Sequence, residues 1–233
     1  AVTLVDLKCQ LLRSDDDILR RAGRLLGQTA HLACPGCGAS LGYPAGVATQ
    51  LVCPACGTRT DVTGDQATVL EAGRRLEAQP TTLELGDVAQ IDGVPHTLIG
   101  LLRCQEVGES ETWVEYLLHA PGRGFVWLVE TDAGWERAQV QDVWPETSGD
   151  AVRLGSTRYR KPYDYPSRVL FAAGAFNWRV KAGDTVDISD WQSGQTKLTR
   201  ERSPAEITWS RSTPVTAATL SLWFGKPVAA PVA

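Results

Sequence analysis

The sequence predicts a mainly β protein. An N-terminal four-cysteine zinc ribbon with one or two short helices precedes an antiparallel β-sandwich or barrel-like domain. Three observations carry this expectation. Two Cys-x-x-Cys pairs, each followed by glycine, lie in CPGCGASLGYPAGVATQLVCPACG, from Cys34 to Gly57. From Leu83 onward, short apolar runs alternate with Gly, Pro and Asp turn signals. The chain also has no Met but 8 Trp and 22 Gly, a composition that favours strands and turns over helices.

With 43% apolar and 21% charged residues, the 233-residue chain has the make-up of a folded protein and room for one or two cores. Its formal net charge of -4 does not draw the chain as a whole to nucleic-acid phosphates or anionic lipid. No apolar run reaches the roughly 20 residues that span a bilayer. The first residues, AVTLVDLKCQ, lack the basic-then-apolar order of an export signal, so a cytoplasmic chain is expected. Four of the six cysteines have metal spacing, which leaves Cys9 and Cys104. Metal binding in a reducing compartment is simpler than a disulfide framework.

Residues 1–30 form an N-terminal segment with a helix expected over Ser14–Gly27. Ser14 is its N-cap, Asp15, Asp16 and Asp17 suit the positive end of the dipole, and Gly27 is its left-handed stop. Ile18, Leu19, Ala22, Leu25 and Leu26 form its apolar stripe. The ribbon occupies residues 31–62. Residues 63–82 read as a helical connector, with a helix over 65–78 stopped by Pro80.

The β-rich domain spans residues 83–225. Asp92-Gly93 between two apolar runs predicts a type I′ hairpin. TWVEYLLHA, FVWLVETD and WERAQV predict a meander with turns at 121–124 and 132–134. Further strands are expected near 151–154, 157–161, 168–172, 176–181, 185–188, 206–210 and 220–224. Residues 226–233 read as a flexible tail. Phe125-x-Trp127-x-Val129 recurs as Phe176-x-Trp178-x-Val180, which raises the alternative of two related β half-units.

Cys34, Cys37, Cys53 and Cys56 are the predicted metal ligands. Glycine after each pair allows the positive φ that turns backbone N–H groups toward sulfur. Four sulfurs close a tetrahedral site without an open position, so Zn²⁺ is expected in a structural role, with His31 as a neighbour. Between His31 and Thr60 there is one Arg and no Lys, so the ribbon lacks the cations that phosphate neutralisation needs. In the β-rich domain, Trp113, Glu115, Trp127 and Glu130 lie on adjacent predicted strands. Carboxylates beside aromatic rings suit a small cationic ligand, a polyamine or a sugar. The competing interpretation is a solvated sheet face with aromatics buried behind it. Cys104 and His119 allow a nucleophile pair on paper, but neither has a catalytic motif around it.

TLELGDVAQIDGVPHTLIGLL, TWVEYLLHAPGRGFVWLVE, FNWRVKAGDTV and LTRERSPAEITWS together resemble the bacterial domain of unknown function family 4178. The preceding ribbon resembles the arrangement in members of that family. The resemblance implies a β-rich accessory domain with links to membrane-associated stress proteins and polyamine-related enzymes.

The sequence therefore reads as a non-enzymatic accessory or adaptor protein. It would bind a protein partner, membrane-associated in an envelope-stress setting, or a small cationic ligand in a polyamine-linked one. The first rival is a hydrolase or transferase that uses carboxylates of the β-rich domain. The second is a nucleic-acid-associated zinc ribbon.

Overall fold

The computed structural model describes residues 19–64, 66–73, 80–203 and 206–230. Its first residues, Leu19–Arg21, are the end of a helix. Gly23 (φ 67°) stops that helix four residues before the expected Gly27. The Gly23 N–H bonds Arg20 O at 3.0 Å and the Arg24 N–H bonds Leu19 O at 2.8 Å, which satisfies the last carbonyls in a Schellman motif. Residues 14–18 of the expected helix lie outside the described residues.

Two hairpins follow. β1 (Thr29–Ala33) pairs with β2 (Ser40–Pro44), and β3 (Gln50–Val52) pairs with β4 (Arg59–Asp61). Each Cys-x-x-Cys turn forms the tip of one hairpin. β5 (Thr68–Glu71) then adds to β4, where the sequence pattern favoured a helix. Gly73 explains the outcome: a Cβ there would lie 2.0 Å from the Cys56 carbonyl oxygen. The chain runs too close to the second cysteine turn for a helix to pass. Residues 65 and 74–79 of the expected helix lie outside the described residues.

β6 (Val88–Ile91) and β7 (Val94–Glu106) meet at Asp92 (φ 52°) and Gly93 (φ 77°), the expected type I′ turn. β7, β8 (Thr112–Ala120), β9 (Gly124–Thr131) and β10 (Gly134–Val140) form an antiparallel meander. A short hairpin, β11 (Glu146–Ser148) and β12 (Ala151–Leu154), leads into β13 (Thr157–Phe176). β13 is one 20-residue strand where two were expected. β14 (Thr185–Ser193), β15 (Thr196–Arg202) and β16 (Ile207–Val215) complete the set.

Among the described residues, β13-β14-β15-β16-β10-β9-β8-β7 run in that order, and β7 pairs again with β13. The eight strands thus close an antiparallel barrel rather than stack as a sandwich. At the closing seam Gly174 lies opposite Gly100. Its φ of 100° and a Cβ position 2.2 Å from Ile99 O both require glycine. Beyond the seam, Gly174, Ala175 and Phe176 pair with Val52, Leu51 and Gln50 of β3. The ribbon is therefore joined to the barrel by strand pairing.

Three apolar layers fix the barrel. Over β7–β10 lies α1 (Ala217–Phe224), which replaces the strand expected at 220–224. Thr216 Oγ1 caps it by accepting the Thr219 N–H at 3.1 Å, and Gly225 (φ 63°) ends it. Leu220, Trp223 and Phe224 share its packed face. Residues 226–230, expected as part of a loose tail, lie against the barrel: Lys226 pairs with Asp87 and Val228 is buried. Over β14–β16, the β11–β12 hairpin covers Trp191 and Trp209, whose rings stand 5.1 Å apart beneath the Arg200 guanidinium.

At the barrel base, Val52, Leu117, Phe176 and Val180 form a plug, joined by Trp127 and Trp178. Burial of each such large side chain stabilises by roughly 1.5–3 kcal/mol. The Phe-x-Trp-x-Val echo is not a pair of equivalent strands, because Phe125 and Trp127 lie within β9 while Trp178 lies past the end of β13. The two tryptophan rings instead meet in the plug at 5.6 Å.

Candidate lumen site and metal centre

Strand alternation decides what the barrel encloses. On β8, Val114, Tyr116 and Leu118 pack with the cluster under α1, so they face outward. Trp113, Glu115 and Leu117 take the opposite, inward face. The electrostatics agree: Glu115 on β8 and Glu201 on β15 stand four strands apart either way round the ring, yet they repel each other. Only a path across the lumen brings them together.

The lower lumen belongs to the apolar plug. The upper lumen is polar. Trp113 Nε1–H donates to Glu115 Oε1 at 2.7 Å. Lys197 Nζ lies 2.8 Å from Glu136 Oε2, which also accepts Ser212 Oγ–H at 2.7 Å. Thr199 Oγ1–H donates to Asp190 Oδ1 at 2.6 Å, and the Tyr165 hydroxyl supports the same carboxylate. Glu201, half-buried, has no hydrogen-bond donor among the described residues. Glu115 is half-buried as well.

These neighbours set the acidities. Burial pushes the Glu201 carboxyl up to about 8, with further push from Glu115, Asp190 and Glu206. Burial also raises Glu115, against the pull of Trp113 and Lys197. It raises Asp190 too, opposed by Lys197 and Thr199. The Cys104 thiol is held well above its usual range by burial, then by Glu115 and Glu201. Lys197 is the cation acting on Glu115 and Asp190; among the described residues none acts on Glu201. The arrangement offers buried negative charge, hydrogen-bond acceptors and two aromatic faces to a guest.

The residues singled out in the sequence separate into three places. Trp113 and Glu115 are together in the upper lumen. Trp127 shares their face and borders the same apolar cluster as Trp113, but its ring meets Trp178 at 5.6 Å. Glu130 lies on the outer face, where it accepts the Tyr116 O–H at 2.6 Å and the Thr82 O–H. The four therefore do not form one open sheet face. Cys104 and His119 are also apart: Cys104 pairs opposite Trp113, whereas His119 pairs opposite Phe125 near the base and donates to Gly23 O at 2.7 Å. Asp190, Lys197, Glu201 and Tyr165 carried no motif. Their only trace is the polar alternation Lys197, Thr199, Glu201, which resembles a solvated strand until the ring closes.

In the ribbon, the two hairpin tips bring Cys34, Cys37, Cys53 and Cys56 within 4.8 Å of one another. Cys34–Cys56 and Cys37–Cys53 sulfurs are 3.6 Å and 3.7 Å apart, and none of the four is in a disulfide. A tetrahedral ion at about 2.3 Å from each sulfur gives sulfur–sulfur edges of about 3.8 Å. Gly38 (φ 79°) and Gly57 (φ 70°) end the two turns as the spacing predicts. Thr58 Oγ1, 3.1 Å from Cys56 Sγ, also accepts the Gly73 N–H at 3.1 Å, so the centre has outer support. The four sulfurs fit a saturated tetrathiolate centre. Arg59, the one cation between His31 and Thr60, is paired with Glu71.

Residues 84–217 match the family described as Domain of unknown function (DUF4178). The chain belongs to this family. The DUF4178 match begins just before β6 and ends at the first residue of α1, so it contains every wall strand of the barrel and leaves out the ribbon. No curated protein and no solved structure matches the chain. No helix among the described residues is long and apolar enough to cross a membrane.

Proposed function

We propose that this DUF4178 protein is a non-enzymatic accessory protein whose barrel holds a small organic cation in its upper lumen. One observation carries the proposal: Glu201 faces Glu115 across the lumen without a donor or cation of its own among the described residues. A buried carboxylate in that position draws either a proton or a positively charged guest. Trp113 and Tyr165, whose rings meet edge-on at 6.1 Å, offer apolar and cation–π contact to the stem of an alkylammonium. The acids support the polyamine-linked setting over the envelope-stress one. The ribbon is the structural half, with Zn²⁺ held by Cys34, Cys37, Cys53 and Cys56, and it joins the barrel through β3.

Calorimetric titration with 1,4-diaminobutane, spermidine and uncharged 1,4-butanediol tests the proposal. The amines bind and the diol does not, and Glu201→Gln weakens the amines at least tenfold. Equal binding of amine and diol, or no amine binding at all, overturns it.

A second reading has one observation in its favour. A carboxyl held protonated up to about 8 opposite another carboxyl resembles a general acid and its partner base. A hydrolase or transferase would use Glu201 and Glu115 in those roles. Turnover of an amine-bearing ester or amide, lost in both Glu201→Gln and Glu115→Gln, would favour this reading over simple binding.

A further inference from the structure

Resting on the lumen reading above, we propose that the barrel fills from one end only. The mouth beside the β7–β8 turn would be an acidic, aromatic portal that selects ammonium groups and passes them to the lumen acids. The base is closed by Phe176, Val180 and the ribbon residue Val52. Gln50 locks that closure by donating from Nε2 to Val180 O at 2.6 Å. A guest therefore enters at the opposite end.

There, Glu106 ends β7 on the same inward face as Cys104 and Leu102. The Tyr163 hydroxyl donates to Glu106 Oε1 at 2.5 Å. Tyr163 is 51% exposed, so it stands at the water boundary. Its ring stacks on Tyr165 at 5.3 Å, and Tyr165 meets Trp113 edge-on at 6.1 Å. Trp113 in turn holds Glu115. Three rings thus lead without a break from solvent to the first lumen carboxylate.

The charge follows the same path. Glu109 and Glu111 in the turn act with Glu106 on Tyr163, whose hydroxyl they hold above its usual range, Glu106 most strongly. Glu106 also acts on Tyr165, which senses Asp190, Glu115 and Glu201 from the other side. The acids of the rim and of the lumen therefore act on the same pair of stacked rings. Among the described residues, none of the three rim acids is ion-paired. The independent sign that this path leads to a ligand is Glu201, which faces the lumen at its end and has no hydrogen-bond donor among the described residues. An acidic funnel with low-dielectric walls accelerates the entry of cations roughly tenfold or more. Stacked rings favour an organic ammonium over a bare metal ion of equal charge.

The test follows 1,4-diaminobutane binding to the full chain by stopped-flow tryptophan fluorescence at several ionic strengths. Glu106→Gln, Glu109→Gln and Glu111→Gln combined slow association about tenfold at low salt and flatten its salt dependence, while dissociation barely changes. A control with three charges removed elsewhere (Glu84→Gln, Glu146→Gln and Asp187→Asn) associates like the parent. Tyr163→Ala weakens binding several-fold, and Tyr163→Phe, which keeps the stack, does so less. If the amine binds but the rim variant associates at the parental rate and Tyr163→Ala binds like the parent, entry lies elsewhere. The portal then falls while the lumen reading stands. If the unmodified chain binds no amine, both fall together.

Discussion

Glu115 and Glu201 face each other from opposite sides of the barrel, and the charge on Glu115 makes the Glu201 carboxyl a weaker acid. Trp113 steadies Glu115 with a hydrogen bond, whereas Glu201 has nothing comparable among the described residues. Without a guest, the pair is a source of pH-dependent instability.

In the absence of ligand, stability should therefore fall as pH rises. The Glu201 carboxyl lies near 4.5 when exposed and at about 8 in the folded chain, so the folded state binds the extra proton in this window. The corresponding stability is fully present below about 4.5 and is lost as pH rises through about 8. Urea unfolding at pH 5.5 and 8.5 should differ by up to a few kcal/mol on this account. Glu201→Gln should flatten the dependence and stabilise the chain at pH 8.5. Identical slopes for the two chains would contradict the assignment.

Lys197 and Glu136 should behave as a coupled pair inside the lumen. Lys197→Met removes the cation acting on Glu115 and Asp190 and should cost about 1–2 kcal/mol at pH 8. Adding Glu136→Gln should return part of that loss. A double-mutant cycle by chemical denaturation gives the coupling, expected near 1 kcal/mol and within the usual range for contacting groups.

One Zn²⁺ per chain is expected by elemental analysis. Cys56→Ser, or a strong chelator, should remove it and lower stability by several kcal/mol, since metal binding and ribbon folding are one equilibrium. Tryptophan emission should shift at the same time, because Val52 packs into the plug that holds Trp127 and Trp178. Loss of metal with unchanged emission would show that the plug holds without the ribbon.

Gly174→Ala should be among the most damaging single substitutions. Its Cβ meets the Ile99 carbonyl oxygen at 2.2 Å and Gly100 Cα at 2.9 Å, both backbone atoms that cannot move aside. A loss of more than about 3 kcal/mol is expected by thermal or urea unfolding, from strain and clash together.

Local signals were legible where the chain itself held the information. The Cys-x-x-Cys-Gly turns, the Asp92-Gly93 hairpin and the meander from Thr112 to Val140 depend on neighbours in sequence, and each formed. Thr68–Glu71 was misread because its apolar spacing suits a helix, while its actual partner, Arg59–Asp61, decides the conformation. The apolar run at 220–224 suits a strand, but Thr216 and Gly225 cap Ala217–Phe224 as a helix. The site was half legible. Trp113 and Glu115 stood out as an aromatic beside an acid. Their partners Asp190, Lys197 and Glu201 come from strands more than seventy residues later, and alternation alone cannot say which face of a sheet a ring will enclose.

β13 serves two structures at once: its middle closes the barrel against β7, and its last three residues carry the ribbon. The smallest independently foldable piece is therefore larger than the stretch that defines the family. A fragment cut at residue 84 would retain the complete staves of the barrel yet bare the backbone of Gly174–Phe176 and the aromatic floor behind it. Such an unprotected margin invites a neighbouring molecule to fill the gap, so that fragment should self-associate more readily than the intact chain.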